Sequence, residues 1–156
     1  MEGKTHLAGG LCAAMLLGAP SSGVILAAAG SLIPDIDCPD SFCGRYLRHI
    51  SLPLEHRSFT HSLVFAAASL MLNKWFALGV VTHIILDMMT YGGVRLLWPR
   101  SRRYRLLPKT MRSARGRMES VLILILLGIT VTIAVSHAKL GLSEIHYHIE
   151  RLRAKG

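Results

Sequence analysis

Charged side chains are absent from long stretches of this chain, and those stretches outline its elements. Thr5 to Pro34 runs for 30 residues without Asp, Glu, Lys or Arg, interrupted by Pro20-Ser21-Ser22-Gly23. That interruption reads as a turn, so the stretch predicts two apolar helices. Ser58 to Asn73 gives 16 uncharged residues rich in Ala and Leu; Lys74 breaks the run, and 12 more uncharged residues lead to Asp87. Ser120 to Ala138 adds 19 uncharged residues dominated by Leu, Ile and Val. The pattern predicts an all-α fold, a membrane-embedded bundle of about five apolar helices. The last segment has the ~20 residues needed to cross a ~30 Å hydrocarbon core. The first four reach only ~18–25 Å. They are expected to cross with local thinning or to enter partway. A soluble core of short Ala-rich helices is the competing reading.

Composition favours the membrane. Of 156 residues, 51% are hydrophobic and only 17% charged, with mean hydropathy +0.42. An ordinary soluble domain carries about 25% charged residues, and a disordered chain would be far more polar. The length fits one domain, residues 1–138, with a polar tail at 139–156. The net charge is +9. Much of it lies in a loop at 92–118, where nine Lys or Arg from Arg95 to Arg117 have no acid among them. Under the positive-inside rule that loop is cytoplasmic. Five crossings then put thirteen Lys or Arg inside and five outside, with the N-terminus cytoplasmic and the tail, read as a short polar helix, outside. Three cysteines, Cys12, Cys38 and Cys43, make no paired framework, which argues against structural disulfides. No removed leader is expected.

Acids and histidines are rare, so their placement is informative. Thr5-His6 opens the first segment and Pro34-Asp35-Ile36-Asp37 closes the second. His56 to His61 opens the third, and His83 with Asp87 closes the fourth. In the topology above, all four places lie at the cytoplasmic face. Seven candidate metal ligands converge there: His6, Asp35, Asp37, His56, His61, His83 and Asp87. His83 and Asp87 are four apart and share one helix face. Asp35 and Asp37 flank one residue at a helix end, where one carboxylate could bridge two ions. Imidazole with carboxylate suits Zn²⁺, Mn²⁺ or Fe²⁺ better than Ca²⁺, with zinc favoured and two or more ions expected. Singly, each residue has a plainer role: a packed core histidine, or an Asx-turn at Asp35. Together, ionisable groups beside membrane segments point to function. His49, His137, His146 and His148 lack a partner pattern and read as surface residues.

The order T-H, P-D-I-D-x-P-x-S, G-R-x-L-R, H-R-x-x-T-H-S, H-x-x-x-D-M-x-T and G-V-x-L-L-W-P, from Thr5 to Glu119, resembles the YdjM-like family of inner-membrane metal-dependent hydrolases. A more distant likeness is to zinc-dependent phospholipase C. The resemblance implies a bacterial inner-membrane hydrolase without a defined substrate. The family often has His where Cys38 stands. Glu119 matches a recurrent family acid, and its plain role is placement at a helix N-terminus.

The expected activity is metal-assisted hydrolysis of a phosphoester at the membrane face. Asp35 or Asp37 would orient water or accept its proton, and Arg57 would contact phosphate. Membrane lipid is the expected partner, with a phospholipid or other phosphorylated substrate. The basic loop gathers anionic substrate or lies on anionic headgroups. One rival is a non-enzymatic protein with a structural metal and a partner-binding basic loop; closed zinc sites need only four ligands, usually with Cys. That loop has only Tyr104 between Arg100 and Arg117, which is poor for a nucleic-acid platform. A transporter would hold its ligands near mid-membrane instead.

Overall fold

The computed structural model describes residues 2–38, 41, 59–107 and 117–153. Among these residues five α-helices follow one another: α1 (Gly3–Leu16), α2 (Ser21–Leu32), α3 (Leu63–Leu72), α4 (Lys74–Met88) and α5 (Arg117–Arg153). Short 3-10 turns occupy Ile33–Asp37 and Phe59–His61. No strand is present among the described residues, where an isolated antiparallel bridge pairs Val94 with Tyr104. The helices fall on the five apolar segments.

The ends of the helices follow from their residues. Gly18, at φ +67°, stops α1 in the left-handed conformation that only glycine adopts without strain. Its N–H donates to Met15 O, and that of Ala19 to Ala14 O, which satisfies carbonyls left over at the helix end. Pro20 then opens α2. A single residue, Asn73, separates α3 from α4, and its side-chain oxygen caps α4 by accepting from Trp75 N–H at 2.8 Å. Ser62 caps α3 in the same way through Phe65 N–H. These tight turns make α1/α2 and α3/α4 antiparallel pairs. The starts of α1 and α3 and the finishes of α2 and α4 therefore lie at one end.

The bundle interior is small and polar. Ala8, Ala14, Ala27, Ala66 and Ala77 are buried beside Thr5, His6, Ser31, Ser69, His83 and Asp87. Large apolar side chains face outward: Leu17, Ile25, Leu70, Met71 and Leu72 are all 60% or more exposed. Water-soluble domains distribute these residue types the other way round. Small residues let α2 and α4 come unusually close. A Cβ on Gly79 would lie 2.1 Å from Ala27 O, and one on Gly30 2.1 Å from Phe76 O. Membrane helices commonly associate through small residues of this kind.

α5 differs from the other four. Within its stretch Glu119–Ser143, an 18-residue window has mean hydropathy 2.4, and none of that window is buried. At ~1.5 Å per residue the whole stretch exceeds a ~30 Å hydrocarbon core. It is the one described helix long and apolar enough to cross a membrane. Among the described residues, α1 is the only helix that touches it. The tail expected as a separate polar helix is instead the continuation of α5 to Arg153. No proline interrupts that sequence, so nothing forces a break.

Candidate metal centre

Four elements deliver five side chains to one point. His6 comes from the first turns of α1, and Asp35 from the 3-10 turn after α2. His61 comes from the turn before α3, and His83 and Asp87 from the last turns of α4. His6, His61 and His83 are completely buried, Asp87 is 1% exposed, and the Asp35 side chain is 15% exposed. One ligand atom from each of Asp35, His61, His83 and Asp87 lies within 4.8 Å of the others.

The distances are specific. His61 Nε2 is 3.1 Å from His83 Nε2, 3.4 Å from Asp35 Oδ1 and 3.5 Å from Asp87 Oδ2. His83 Nε2 is 3.5 Å from Asp35 Oδ1. Ligands ~2.0–2.1 Å from a tetrahedral ion stand ~3.3–3.4 Å apart. The tautomer of His83 can be inferred from its other nitrogen, 2.7 Å from Ser31 O. A carbonyl only accepts, so Nδ1 carries hydrogen, and Nε2 is the nitrogen turned toward His61. The back of His61 is held by Thr60 Oγ1, 3.0 Å from Nδ1. Such backing is the usual outer support of a metal-binding histidine. A proton or a cation belongs between the two facing nitrogens. Burial works against a charged His61, yet the Asp35 and Asp87 carboxylates outweigh it and raise its pKa above the ordinary imidazole value. Metal binding displaces such a proton.

His6 extends the cluster to the other side of Asp87. Its ring stacks on His83 at 3.7 Å, and its Nε2 lies 3.4 Å from Asp87 Oδ1. Neither His6 nitrogen makes a hydrogen bond among the described residues, and a buried polar atom seldom goes without one. Asp87 thus presents Oδ1 to His6 and Oδ2 to His61. The donor set, imidazoles with carboxylates and a ring nitrogen lacking a hydrogen bond, fits a divalent ion.

Of the seven candidate ligands, His6, Asp35, His61, His83 and Asp87 come together. Asp37 ends the 3-10 turn, but its side chain lies outside the described residues, as do His56 and Arg57. Glu119 is not one of the clustered acids. It is 6% exposed, accepts from Thr5 Oγ1 at 2.7 Å and accepts the Glu2 N–H. It thereby caps α1 from outside and pins the start of α5 beside His6. The supporting roles of Thr5, Thr60 and Ser31 O were not anticipated. A signal for the threonines was present, since each of the three clustered histidines follows one: Thr5-His6, Thr60-His61 and Thr82-His83. A backbone carbonyl such as Ser31 O leaves no trace in sequence.

Fold and cluster define a helical membrane protein with a buried histidine–aspartate centre. The sequence profile of the family described as YdjM inner membrane protein matches residues 1–142, and the chain belongs to that family. It is accordingly an inner-membrane protein. Inner membrane protein YdjM of Escherichia coli (strain K12) is 45% identical over 94 residues, covering 48% of each chain. The protein of that name from Shigella flexneri matches equally. The chain thus spans about half the length of these relatives. The uncharacterized protein YvsG of Bacillus subtilis (strain 168) is 34% identical over 125 residues, covering 68% of this chain and 78% of YvsG. No solved structure matches.

Proposed function

We propose that this chain is a metal-dependent hydrolase of the inner membrane, acting on a phosphoester at the cytoplasmic face. The observation that carries the reading is the pair of buried Nε2 atoms 3.1 Å apart, backed by Ser31 O and Thr60 Oγ1 and faced by two carboxylates. His61, His83, Asp35 and Asp87 would hold one divalent ion, with zinc favoured over manganese or iron. His6 and the outer oxygen of Asp87 would serve a second. A bound ion supplies Lewis acidity and eases deprotonation of water. Asp35 is the most open member of the cluster and is the group to orient water and take its proton. Ser31 O and Thr60 Oγ1 fix the two rings, and burial of the site excludes bulk water.

The outward apolar surface and the small-residue interior support a bundle that sits in the bilayer beside the α5 span. Lipid or another phosphorylated compound at the membrane face is the favoured substrate class. The near-complete burial of four of the five side chains favours a second reading, a structural ion tying short helices together without turnover.

Metal analysis of the detergent-purified full chain separates these readings, set beside a His61→Ala/Asp87→Ala variant and a panel of phosphoesters and phospholipids. We expect metal in the wild type, lost from the variant together with hydrolysis. Hydrolysis that survives in the variant would sink the assignment. Bound metal without turnover on any substrate class would select the structural reading.

A further inference from the structure

The segment after α4 is a basic hairpin rooted in the metal centre. Val94 and Tyr104 exchange both backbone hydrogen bonds, at 3.1 and 2.8 Å, and Leu106 N–H donates to Met88 O at the end of α4. Its tip carries exposed Leu97 and Trp98 beside exposed Arg100, Arg102 and Arg103. No Asp or Glu occurs between Asp87 and Glu119 to neutralise them. One face of Trp98 is anchored edge-on against Phe59 at 5.2 Å, two residues before His61. Leu63 N–H, at the head of α3, donates to Leu96 O.

The position of the hairpin follows from Glu119. This residue begins the apolar span of α5 and bonds to Thr5, so the start of α1 lies level with the membrane boundary. α4 finishes at that level, because Asp87 meets His6 there. The hairpin therefore emerges where lipid headgroups begin. Trp prefers that depth, and a cluster of arginines there attracts anionic lipid.

We infer that the Tyr91–Leu107 hairpin is an anionic-phospholipid docking element, with Trp98 seated among the headgroups and Arg100 and Arg102 binding their phosphates. This inference goes beyond the hydrolase reading and does not depend on turnover.

The test uses the full chain with Trp75→Phe, which leaves Trp98 as the sole tryptophan. It is reconstituted in nanodiscs of phosphatidylcholine, with or without phosphatidylglycerol, containing a headgroup-labelled nitroxide lipid. We expect stronger quenching of Trp98 in the anionic discs, and phosphatidylglycerol retained by the protein in native mass spectrometry. Each arginine at an anionic surface contributes about fivefold in partition. Arg100→Gln/Arg102→Gln should therefore lower lipid retention on the order of 25-fold while metal content stays unchanged. Lys74→Gln, at the far end of the bundle, should change neither readout. Equal quenching in both discs, or unchanged retention in the double variant, would overturn the inference. Absence of hydrolysis would leave these readouts untouched.

Discussion

Gly79→Ala tests whether the close approach of α2 and α4 builds the metal centre. A methyl group at Gly79 would stand 2.1 Å from Ala27 O and 2.7 Å from Ser31 N, where real contacts stop near 3.0 Å. Both neighbours are backbone atoms, so no side-chain rotation relieves the overlap. The helices must part by ~1 Å in a tightly packed seam. The His83 Nδ1 to Ser31 O hydrogen bond, now 2.7 Å, would lengthen to ~3.7 Å and cease to be one. Overpacking costs about 1–3 kcal/mol, and stranding a buried donor and acceptor costs about 1–3 kcal/mol more. Alanine returns ~1 kcal/mol of helix propensity. The net loss is about 3 kcal/mol. Losing the support of a metal-binding histidine weakens metal affinity about 10–100-fold. Thermal unfolding in detergent and a competitive metal titration read both effects. Gly128→Ala is the control, because nothing lies within 4 Å of a Cβ there; it should lower neither the melting temperature nor the metal affinity. A Gly79→Ala protein with wild-type melting temperature and wild-type metal affinity would refute the argument.

Three further outcomes are expected. Glu119→Leu removes the acceptor for the buried Thr5 Oγ1 and for the part-buried Glu2 N–H, and should cost about 1–3 kcal/mol for stranding the Thr5 hydroxyl. Its metal content should stay at the wild-type level; metal loss at unchanged stability would make Glu119 a ligand. Chelation should lower the melting temperature reversibly, since free ion at ~100 times its Kd stabilises the native state by about 2.7 kcal/mol. An unchanged melting curve would show that the cluster binds no ion. Asn73→Cys, in a background lacking Cys12, Cys38 and Cys43, probes the end of the bundle opposite the metal centre. An impermeant maleimide should label it from the periplasmic side if the short helices cross the membrane. Labelling from the cytoplasmic side alone would mean that α5 crosses and the bundle does not.

The helices were legible because charge is excluded from them and turn residues punctuate them. Pro20 marks one junction and Lys74 another, although Ser21 to Gly23, read with Pro20 as the turn, form the first turn of α2 and the chain reverses at Gly18 instead. The clustered residues were legible for a related reason: in so apolar a chain, each His or Asp at a segment end is conspicuous. Antiparallel pairing of short helices then brings alternate ends together, so His6, Asp35, His61, His83 and Asp87 meet. Other features were not legible. Nothing in the sequence marks Gly30 and Gly79, because the close approach they permit depends on which helix lies opposite. Ser31 acts through its carbonyl, which every residue possesses. Glu119 could be placed at a helix N-terminus from sequence, but its bond to Thr5 joins positions 114 residues apart.

The same features explain why this bundle needs its centre. Its apolar core is slight, with Ala66, Val80, Ile84 and Val94 at its heart. Helices of 10 to 15 residues are marginal by themselves in water. In lipid, outward-facing Leu17, Met71 and Leu72 lose the incentive to turn inward, and close packing of small residues becomes the main apolar attraction. The buried polar groups must then be matched to one another. Two carboxylates facing three imidazoles at 3.4–3.5 Å hold together while cationic charge lies among them, as a proton on His61 or as a metal ion. An ion held by Asp35, His61, His83 and Asp87 would link the end of α2, the turn before α3 and α4 at once. Removing it would leave the same groups relying on a single proton. On the proposed reading, folding of the bundle and occupancy of the centre are one equilibrium, and a substitution that opens the α2/α4 seam acts on both.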